Sequence, residues 1–212
     1  MKKFWIFLIL SALGLGGTAE NALARENLSL TFDLAALETR ETDQVRLGWT
    51  GDEFRMEAFR ENLLWFQYFT LPKNAAFRHR FSLETEVSWV KDHGVAGLAL
   101  GNREVDLAFY VYVHNHRGYA RIATADSIQT NYVVEKTLSY PSVPFTLGIV
   151  YDVAQRTFSG LVNGHAVVSL SASAFPRLTR ISSVTAVALV GGSRFDQTSG
   201  AAGFRSFALE AE

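Results

Sequence analysis

Hydrophobic and polar residues alternate along most of the chain, and the rest of the chain is organised around one such stretch, between positions 105 and 123. Successive side chains of a strand point to opposite sides, so residues two apart share a face. By that rule one face carries Leu107, Phe109, Val111 and Val113, and the other carries Ala108, Tyr110, Tyr112 and His114. Residues 115–118 have the composition of a turn, and alternation resumes after them. The pattern predicts a hairpin of two antiparallel strands.

The turn of this hairpin fixes its register. If His116 and Arg117 are the two central turn residues, three cross-strand pairs follow: His114 with Tyr119, Tyr112 with Arg121, and Val111 with Ile122. This register keeps the aliphatic side chains together on one face, which suits a core. The opposite face gathers a second set, which we expect to meet solvent or a ligand: Tyr110, Tyr112, His114, Tyr119 and Arg121.

Other runs with the same period fill the rest of the chain, separated by turn residues. The most regular of them covers residues 77–89 and ends on Trp89. Because Trp49, Trp65 and Trp89 are each in phase with aliphatic neighbours, we expect all three in the core. The Asn163-Gly164 pair between two alternating segments predicts a second tight hairpin, since this dipeptide accepts the positive φ of such turns.

These short strands predict an all-β protein, built as a two-sheet antiparallel β-sandwich. Neither a sustained helical stripe nor an internal repeat interrupts the pattern. The strands run from residue 27 to the C-terminus without a linker of the length that separates domains. We therefore expect residues 25–212 to form a single domain.

Residues 1–24 have the features of a secretory signal peptide. Two lysines follow Met1, an apolar run extends from position 4 to 17, and Ala22-Leu23-Ala24 matches the small-x-small cleavage pattern. The apolar run is shorter than a membrane span requires, although an uncleaved anchor is the alternative. We expect a protein exported to the periplasm or the extracellular space, with no membrane insertion after cleavage.

Composition excludes several classes of chemistry. The chain has no cysteine, which removes disulfides, thiolate metal sites and cysteine nucleophiles. Its 20 basic and 21 acidic residues nearly balance, and a nucleic-acid-binding surface would need a basic excess. We expect neither a nucleic-acid partner nor a cofactor.

Several segments together carry a resemblance to known proteins: Gly97-Leu98, the hairpin at 110–122, and residues 144–151, 158–164, 187–192 and 203–209. Their succession resembles the concanavalin A-like lectin/glucanase superfamily and, within it, the laminin G-like and 3-keto-disaccharide hydrolase-like jelly-roll modules. The resemblance implies a jelly roll of two facing sheets, with glycans bound on a curved outer sheet surface. It also implies that the final strand, at 204–210, pairs with the first one, at 28–34.

Catalytic and metal-binding motifs are weak. Glu84-Thr85-Glu86 lacks the middle aspartate and third acid of the retaining glucanases in that superfamily, and its charges suit a solvated face. His114-Asn115-His116 lacks a third ligand at metal-binding spacing. A structural calcium could sit beside turn aspartates, but such residues more often bond to their own backbone. We therefore assign no catalytic residue and no metal ligand.

The aromatic and polar face of the 105–123 hairpin gives the functional hypothesis. Sugars present apolar C–H patches and many hydroxyls, so their sites combine aromatic planes with hydrogen-bonding side chains. Tyr110, Tyr112, His114, Tyr119 and Arg121 supply that mixture. We expect a non-catalytic carbohydrate-binding, lectin-like module for polysaccharide or cell-envelope glycan. The alternatives are a laminin G-like module for a protein partner, and a glycoside hydrolase or polysaccharide lyase with loop-borne acids.

Overall fold

The structure is a computed structural model, which describes residues 27–60, 63–72, 80–102, 107–114, 119–126, 132–137, 141–171, 185–193 and 199–212. Within these ranges every regular element is a β-strand. Consequently, no helix in the described part of the chain is long and apolar enough to cross a membrane. The predicted signal peptide, residues 1–24, lies outside the described residues.

Fifteen strands occur in the described residues. They are β1 (Leu28–Thr31), β2 (Arg40–Glu41), β3 (Val45–Trp49), β4 (Phe54–Ala58), β5 (Leu64–Thr70), β6 (Arg80–Asp92), β7 (Gly94–Asn102), β8 (Leu107–His114), β9 (Tyr119–Asp126), β10 (Tyr132–Thr137), β11 (Phe145–Asp152), β12 (Thr157–Val162), β13 (His165–Ser171), β14 (Ala186–Ser193) and β15 (Gly200–Ala211).

The strands form two antiparallel sheets. The nine-stranded sheet has the order β13-β12-β11-β6-β15-β4-β3-β2, with β1 also paired to β15, and the six-stranded sheet has the order β10-β9-β8-β7-β14-β5. One hydrophobic core takes side chains from both sheets, among them Leu83, Phe204 and Phe207 from the first and Leu98, Val111 and Leu189 from the second. The predicted all-β, two-sheet sandwich is therefore confirmed.

Side-chain alternation accounts for the way the strands pack. In β12 every second residue is buried and the residues between are half-buried, as expected for a strand with one face on the core. All eight residues of β14 are buried instead. That strand lies in the interior of the six-stranded sheet, between β7 and β5, and both of its faces are covered.

The predicted hairpin registers are confirmed. β8 pairs with β9 so that His114 lies opposite Tyr119, Tyr112 opposite Arg121 and Val111 opposite Ile122. Asn163 and Gly164 join β12 to β13, with φ angles of 50° and 74°. The final strand, β15, pairs with β1 over Leu28–Thr31, as the superfamily resemblance implied.

Trp49 and Trp65 are partly buried against the core, as predicted, but the prediction for Trp89 is wrong. Val87 pairs with Phe204 of β15 and Trp89 pairs with Gly203, which leaves Ser88 as an extra residue on β6. Such a β-bulge reverses the inward and outward alternation beyond it. Trp89 therefore lies on the outer face of the nine-stranded sheet.

A second bulge lies on β15 next to the first. Phe204 pairs with Val87 and Ser206 pairs with Glu86, so Arg205 is the extra residue. The Thr85 hydroxyl donates a hydrogen bond to the Ser206 carbonyl, and the Ser206 hydroxyl accepts one from the Glu86 amide at 3.1 Å. Each strand thus has one extra residue, so the second bulge restores the register that the first one shifted. Between the two bulges, the side chains on the outer face no longer follow the regular alternation.

Candidate functional site

The first two residues of the sequence-predicted site are not exposed. Tyr110 is 4% exposed and Tyr112 is 1% exposed, and both belong to a second apolar cluster on the six-stranded sheet. The expectation that these two tyrosines face solvent is therefore wrong. An exposed sugar platform cannot be built on them in this conformation.

Small residues on the neighbouring strands explain this burial. Ala99 of β7 lies opposite Tyr110 of β8 on one side and Ala188 of β14 on the other. Aromatic rings reach over these small residues, so that Phe66 of β5 meets Tyr110 edge to face at 5.6 Å between ring centroids. Strands β5 and β8, which β7 and β14 separate in the sheet, therefore contribute rings that meet above the small residues between them. The hairpin sequence contains the two tyrosines, but the alanines that leave space for their rings lie on other strands, β7 and β14.

The other three predicted site residues keep only their backbone positions. The pairing of β8 with β9 places Arg121 beside Tyr112, and Tyr119 beside His114. The side chains of His114, Tyr119 and Arg121 lie outside the described residues. Their part in ligand binding stays a prediction.

A different surface feature forms where β15 lacks a neighbouring strand. On one edge of β15, β4 pairs with residues up to Phe204 and β1 pairs with residues from Ala208 onward. The bulge residue Arg205 and the two residues after it lie in the gap between these strands. Here the surface forms an open depression of about 450 Å³, within the size range of small-ligand sites.

Aromatic rings form the apolar part of this depression. Trp49, at the end of β3, and Phe32, just after β1, both line it and are half-buried. Phe32 packs on Phe207 at 4.7 Å between ring centroids and on Phe69 of the opposite sheet at 4.9 Å. The Trp49 indole N–H donates to the Gly51 carbonyl at 2.9 Å, which fixes the ring orientation. The apolar wall is therefore held from both sheets.

Charged groups complete the depression. Asp33 lines it and is exposed; one of its carboxylate oxygens, Oδ1, accepts the Ala35 amide at 3.0 Å. Arg205 also lines it, with its guanidinium 3.2 Å from Glu86 and 3.9 Å from Asp52. Aromatic planes next to hydrogen-bond donors and acceptors are the combination that a sugar ring requires.

The turn between β3 and β4, which follows Trp49, is joined to β6 through the buried carboxylate of Glu53. Glu53 accepts three hydrogen bonds: from the Ser88 hydroxyl at 2.6 Å, the Trp89 indole at 2.6 Å and the Arg55 guanidinium at 2.9 Å. Burial raises the pKa of the Glu53 carboxyl, but the three bonds outweigh burial and hold that pKa below its ordinary value. Glu53 is thus a charged anchor between the turn and the β6 bulge.

Sequence reasoning missed both Arg205 and Glu53. Their roles depend on the paired bulges, and a bulge shifts the alternation by one residue without a strong signal in a single sequence. One signal exists, because Gly203 stands in the middle of β15. A Cβ there would lie 2.5 Å from the Trp89 indole nitrogen and 2.6 Å from the Ser88 hydroxyl. Only glycine leaves room for the network that Glu53 organises.

Candidate metal ligands can be compared only within the part of the chain that the structure describes. No group of three or more histidine, aspartate or glutamate side chains is placed there to hold an ion. Asp152 instead accepts the Gln155 amide at 2.8 Å within its own turn. The side chains of the aspartates at 106, 126 and 196 lie outside the described residues, so calcium binding there stays untested. So does metal binding by the pair of histidines at 114 and 116, whose side chains also lie outside them.

No protein-family model matches the chain, and no curated protein matches it in sequence. Solved structures do resemble it in fold. A sialidase aligns with 8% identity over 82% of this chain and 16% of its own, with a TM-score of 0.57. The apo form of the Crh5 transglycosylase aligns with 11% identity over 86% of this chain and 84% of its own, with a TM-score of 0.53.

A third similar structure is the carbohydrate-binding module CBM66 from Bacillus subtilis. It aligns with 10% identity over 87% of this chain and 92% of its own, with a TM-score of 0.39. At such low identities the likenesses to the sialidase and the transglycosylase concern the fold alone. Since this chain spans only 16% of the sialidase, the likeness there is to one portion of that protein.

Proposed function

We propose that this protein is a non-catalytic carbohydrate-binding module that holds a glycan in the depression beside Arg205. One observation carries the proposal: the half-buried rings of Trp49 and Phe32 line the same open depression as Asp33 and Arg205. The rings can stack on the C–H faces of a sugar, and the charged groups can accept from and donate to its hydroxyls. A glycan-acting transglycosylase shares the fold, which supports the class of ligand.

Replacement of the indole tests this site. A Trp49→Leu variant keeps an apolar side chain against the core and removes the stacking surface. We expect its affinity for glycans that bind the wild type to fall about tenfold or more. A glycan array would find the ligands, and calorimetry on the strongest would measure the loss. Far-UV circular dichroism would show that the variant is folded.

A matched control uses an aromatic side chain outside the depression. Phe59 is 39% exposed and does not line the depression, so Phe59→Ala should bind like the wild type. Equal binding by wild type and Trp49→Leu would rule out the depression as the binding site. A complete lack of glycan signal from the wild type would rule out glycan binding as the function.

The hairpin face stays the second candidate for the same function. Arg121 lies beside Tyr112 in the described register, and its planar guanidinium could bind the hydroxyls or the carboxylate of a sugar. An Arg121→Gln variant separates the two candidates. If Arg121→Gln abolishes binding and Trp49→Leu does not, the ligand binds the six-stranded sheet.

Export belongs to the same proposal. The basic start, the apolar run and the Ala22-Leu23-Ala24 sequence favour cleavage after position 24 and delivery to the periplasm or the extracellular space. Polysaccharides and cell-envelope glycans are present in those compartments. A wild-type array without glycan signal would favour the first alternative, a laminin G-like module that binds a protein partner. Turnover of pooled polysaccharides would favour the second, a glycoside hydrolase or polysaccharide lyase with loop-borne acids.

A further inference from the structure

Carboxylates outnumber the cation at the depression. Among the described residues that line it or pair with its lining side chains, Asp33, Asp52 and Glu86 are acidic and Arg205 is basic. Nearby Glu53 does not add to the excess, because Arg55 neutralises it at 2.9 Å. The surroundings that a ligand meets therefore carry an excess of negative charge.

Arg205 is also poorly placed to bind a carboxylate from a ligand. One terminal nitrogen of its guanidinium lies 3.2 Å from Glu86 and the other lies 3.9 Å from Asp52. These terminal nitrogens form the fork that a bidentate carboxylate would need. An acidic sugar would have to displace Glu86 and would then lie close to two or three like charges, and such contacts disfavour a ligand.

A cationic group on a ligand would be attracted to this depression, where a carboxylate would be repelled. The second carboxylate oxygen of Asp33, Oδ2, is not used in the bond to Ala35, and Asp33 is exposed and lines the depression. An ammonium group can donate to such an oxygen, and it is also attracted to the face of an indole such as that of Trp49. A neutral hydroxyl in the same position can also donate to Asp33, but its hydrogen bond carries charge on one side only, and it gains no cation–π attraction to the indole.

We infer that the depression selects glycans by charge: it binds a sugar that bears a protonated amine more tightly than the neutral counterpart, and it rejects sugars that bear a carboxylate. This inference rests on the proposed function and adds the class of ligand. Because Arg205, Asp52 and Glu86 are 46%, 77% and 38% exposed, solvent screens their charges. We expect the amine to lower Kd roughly three- to tenfold, with the difference shrinking as salt is raised.

The experiment is a glycan array that carries neutral sugars, their N-deacetylated amino forms and their uronic acid or sialic acid forms on common scaffolds. It is read with the wild type and with Trp49→Leu. Signals that disappear in Trp49→Leu should come from neutral and amine-bearing sugars, with the amine-bearing ones stronger. A Trp49-dependent signal from acidic sugars that equals or exceeds the neutral one overturns the inference but leaves the proposed function intact.

The source of the preference is tested with Asp33→Asn. The amide keeps the Oδ1 acceptor for Ala35 and removes the charge, so the ratio of amine to neutral affinity should fall. Asp152→Asn is the matched control, because Asp152 is also a turn carboxylate that accepts a backbone amide, on a strand away from the depression. If Asp33→Asn leaves the ratio unchanged, charge at the depression does not select the ligand and the inference is wrong.

Discussion

Glu53 shows how one buried charge can organise a surface. Its side chain is 6% exposed and accepts three hydrogen bonds, from a hydroxyl, an indole and a guanidinium. Two of these donors, Ser88 and Trp89, occupy the β6 bulge. Hydrogen bonds from this many donors offset the cost of burying the carboxylate. If the carboxylate is removed, the donors lose their acceptor, and leaving them unpaired in the interior destabilises the fold.

Neutralising this carboxylate should therefore be costly. We expect Glu53→Gln to lower the free energy of unfolding by about 2–3 kcal/mol, because the amide offers one weaker acceptor to three donors. Urea denaturation at neutral pH measures the loss. Glu57→Gln is the control: Glu57 lies on β4, four residues after Glu53, and its one ion pair among the described residues is a surface pair with Arg46. Its change should stay within about 0.5 kcal/mol. Similar losses in both variants would contradict a special role for Glu53.

The same group predicts a pH dependence. The pKa of Glu53 in the folded protein lies below the ordinary value of 4.5, so its ionised form stabilises the fold above that pH. The contribution is lost as the pH falls below 4.5 and through the folded-state pKa. The stability difference between wild type and Glu53→Gln should therefore shrink between neutral pH and the acid range. A difference that stays constant in urea titrations across this range would contradict the assignment.

Gly203 is the second residue on which the network depends. A methyl group there would overlap the Trp89 indole nitrogen and the Ser88 hydroxyl, and Gly203→Ala should lower stability by about 1–3 kcal/mol through overpacking. Thermal unfolding followed by tryptophan fluorescence measures the effect. Gly148→Ala is the control in the same sheet, because the nearest atom there is the flexible end of Leu161 at 3.0 Å. A greater loss in Gly148→Ala would count against the network.

Among the elements, the hairpin of β12 and β13 is the one that its turn residues specify most directly. Asn163 and Gly164 both have positive φ, and the Asn163 side chain accepts the Thr146 amide at 2.9 Å. The turn thus fixes the register and also ties the hairpin to β11. Both features follow from the Asn-Gly pair, whose residues adopt this conformation more readily than others.

This turn gives a prediction without steric complications. No atom lies within 4 Å of a Cβ built on Gly164, so Gly164→Ala causes no steric clash. Its cost in stability comes from the φ of 74°, which alanine adopts with difficulty. We expect a loss of about 1 kcal/mol, measured by urea denaturation. Gly164→Asn should lose less, because asparagine tolerates positive φ. Equal losses in the two variants would show that backbone conformation is not the cause.

At the scale of the whole molecule, the N-terminal segment and the sandwich are separate in sequence. β1 begins at Leu28, so cleavage after residue 24 would leave every described strand whole. We expect the protein, when expressed in a bacterium, to be recovered from the periplasm or the medium with Arg25 as its first residue. N-terminal sequencing and fractionation test this. Ala24→Asp should block cleavage, and a wild-type protein that keeps residues 1–24 would contradict the prediction.

The architecture of the whole molecule was largely predictable. Alternation marks strands because the period of two is local, and it gave the registers at Val111 and at Asn163 correctly. The site was less predictable. Tyr110 and Tyr112 look like a sugar platform in the hairpin sequence, but their exposure depends on what lies over the sheet, and no local pattern records that.

The amino-acid sequence by itself determined the strands and the hairpin registers, because neighbouring residues and turn chemistry control these features. The pairing of the last strand with the first is not local, and only the resemblance to the superfamily implied it. Only the tertiary structure decided which face of each sheet is covered and where the surface opens. The bulges at Ser88 and Arg205 arise from the packing of β6 against β15. The depression exists because β1 and β4 share one edge of β15 and leave a gap between them, a relation between segments far apart in the chain.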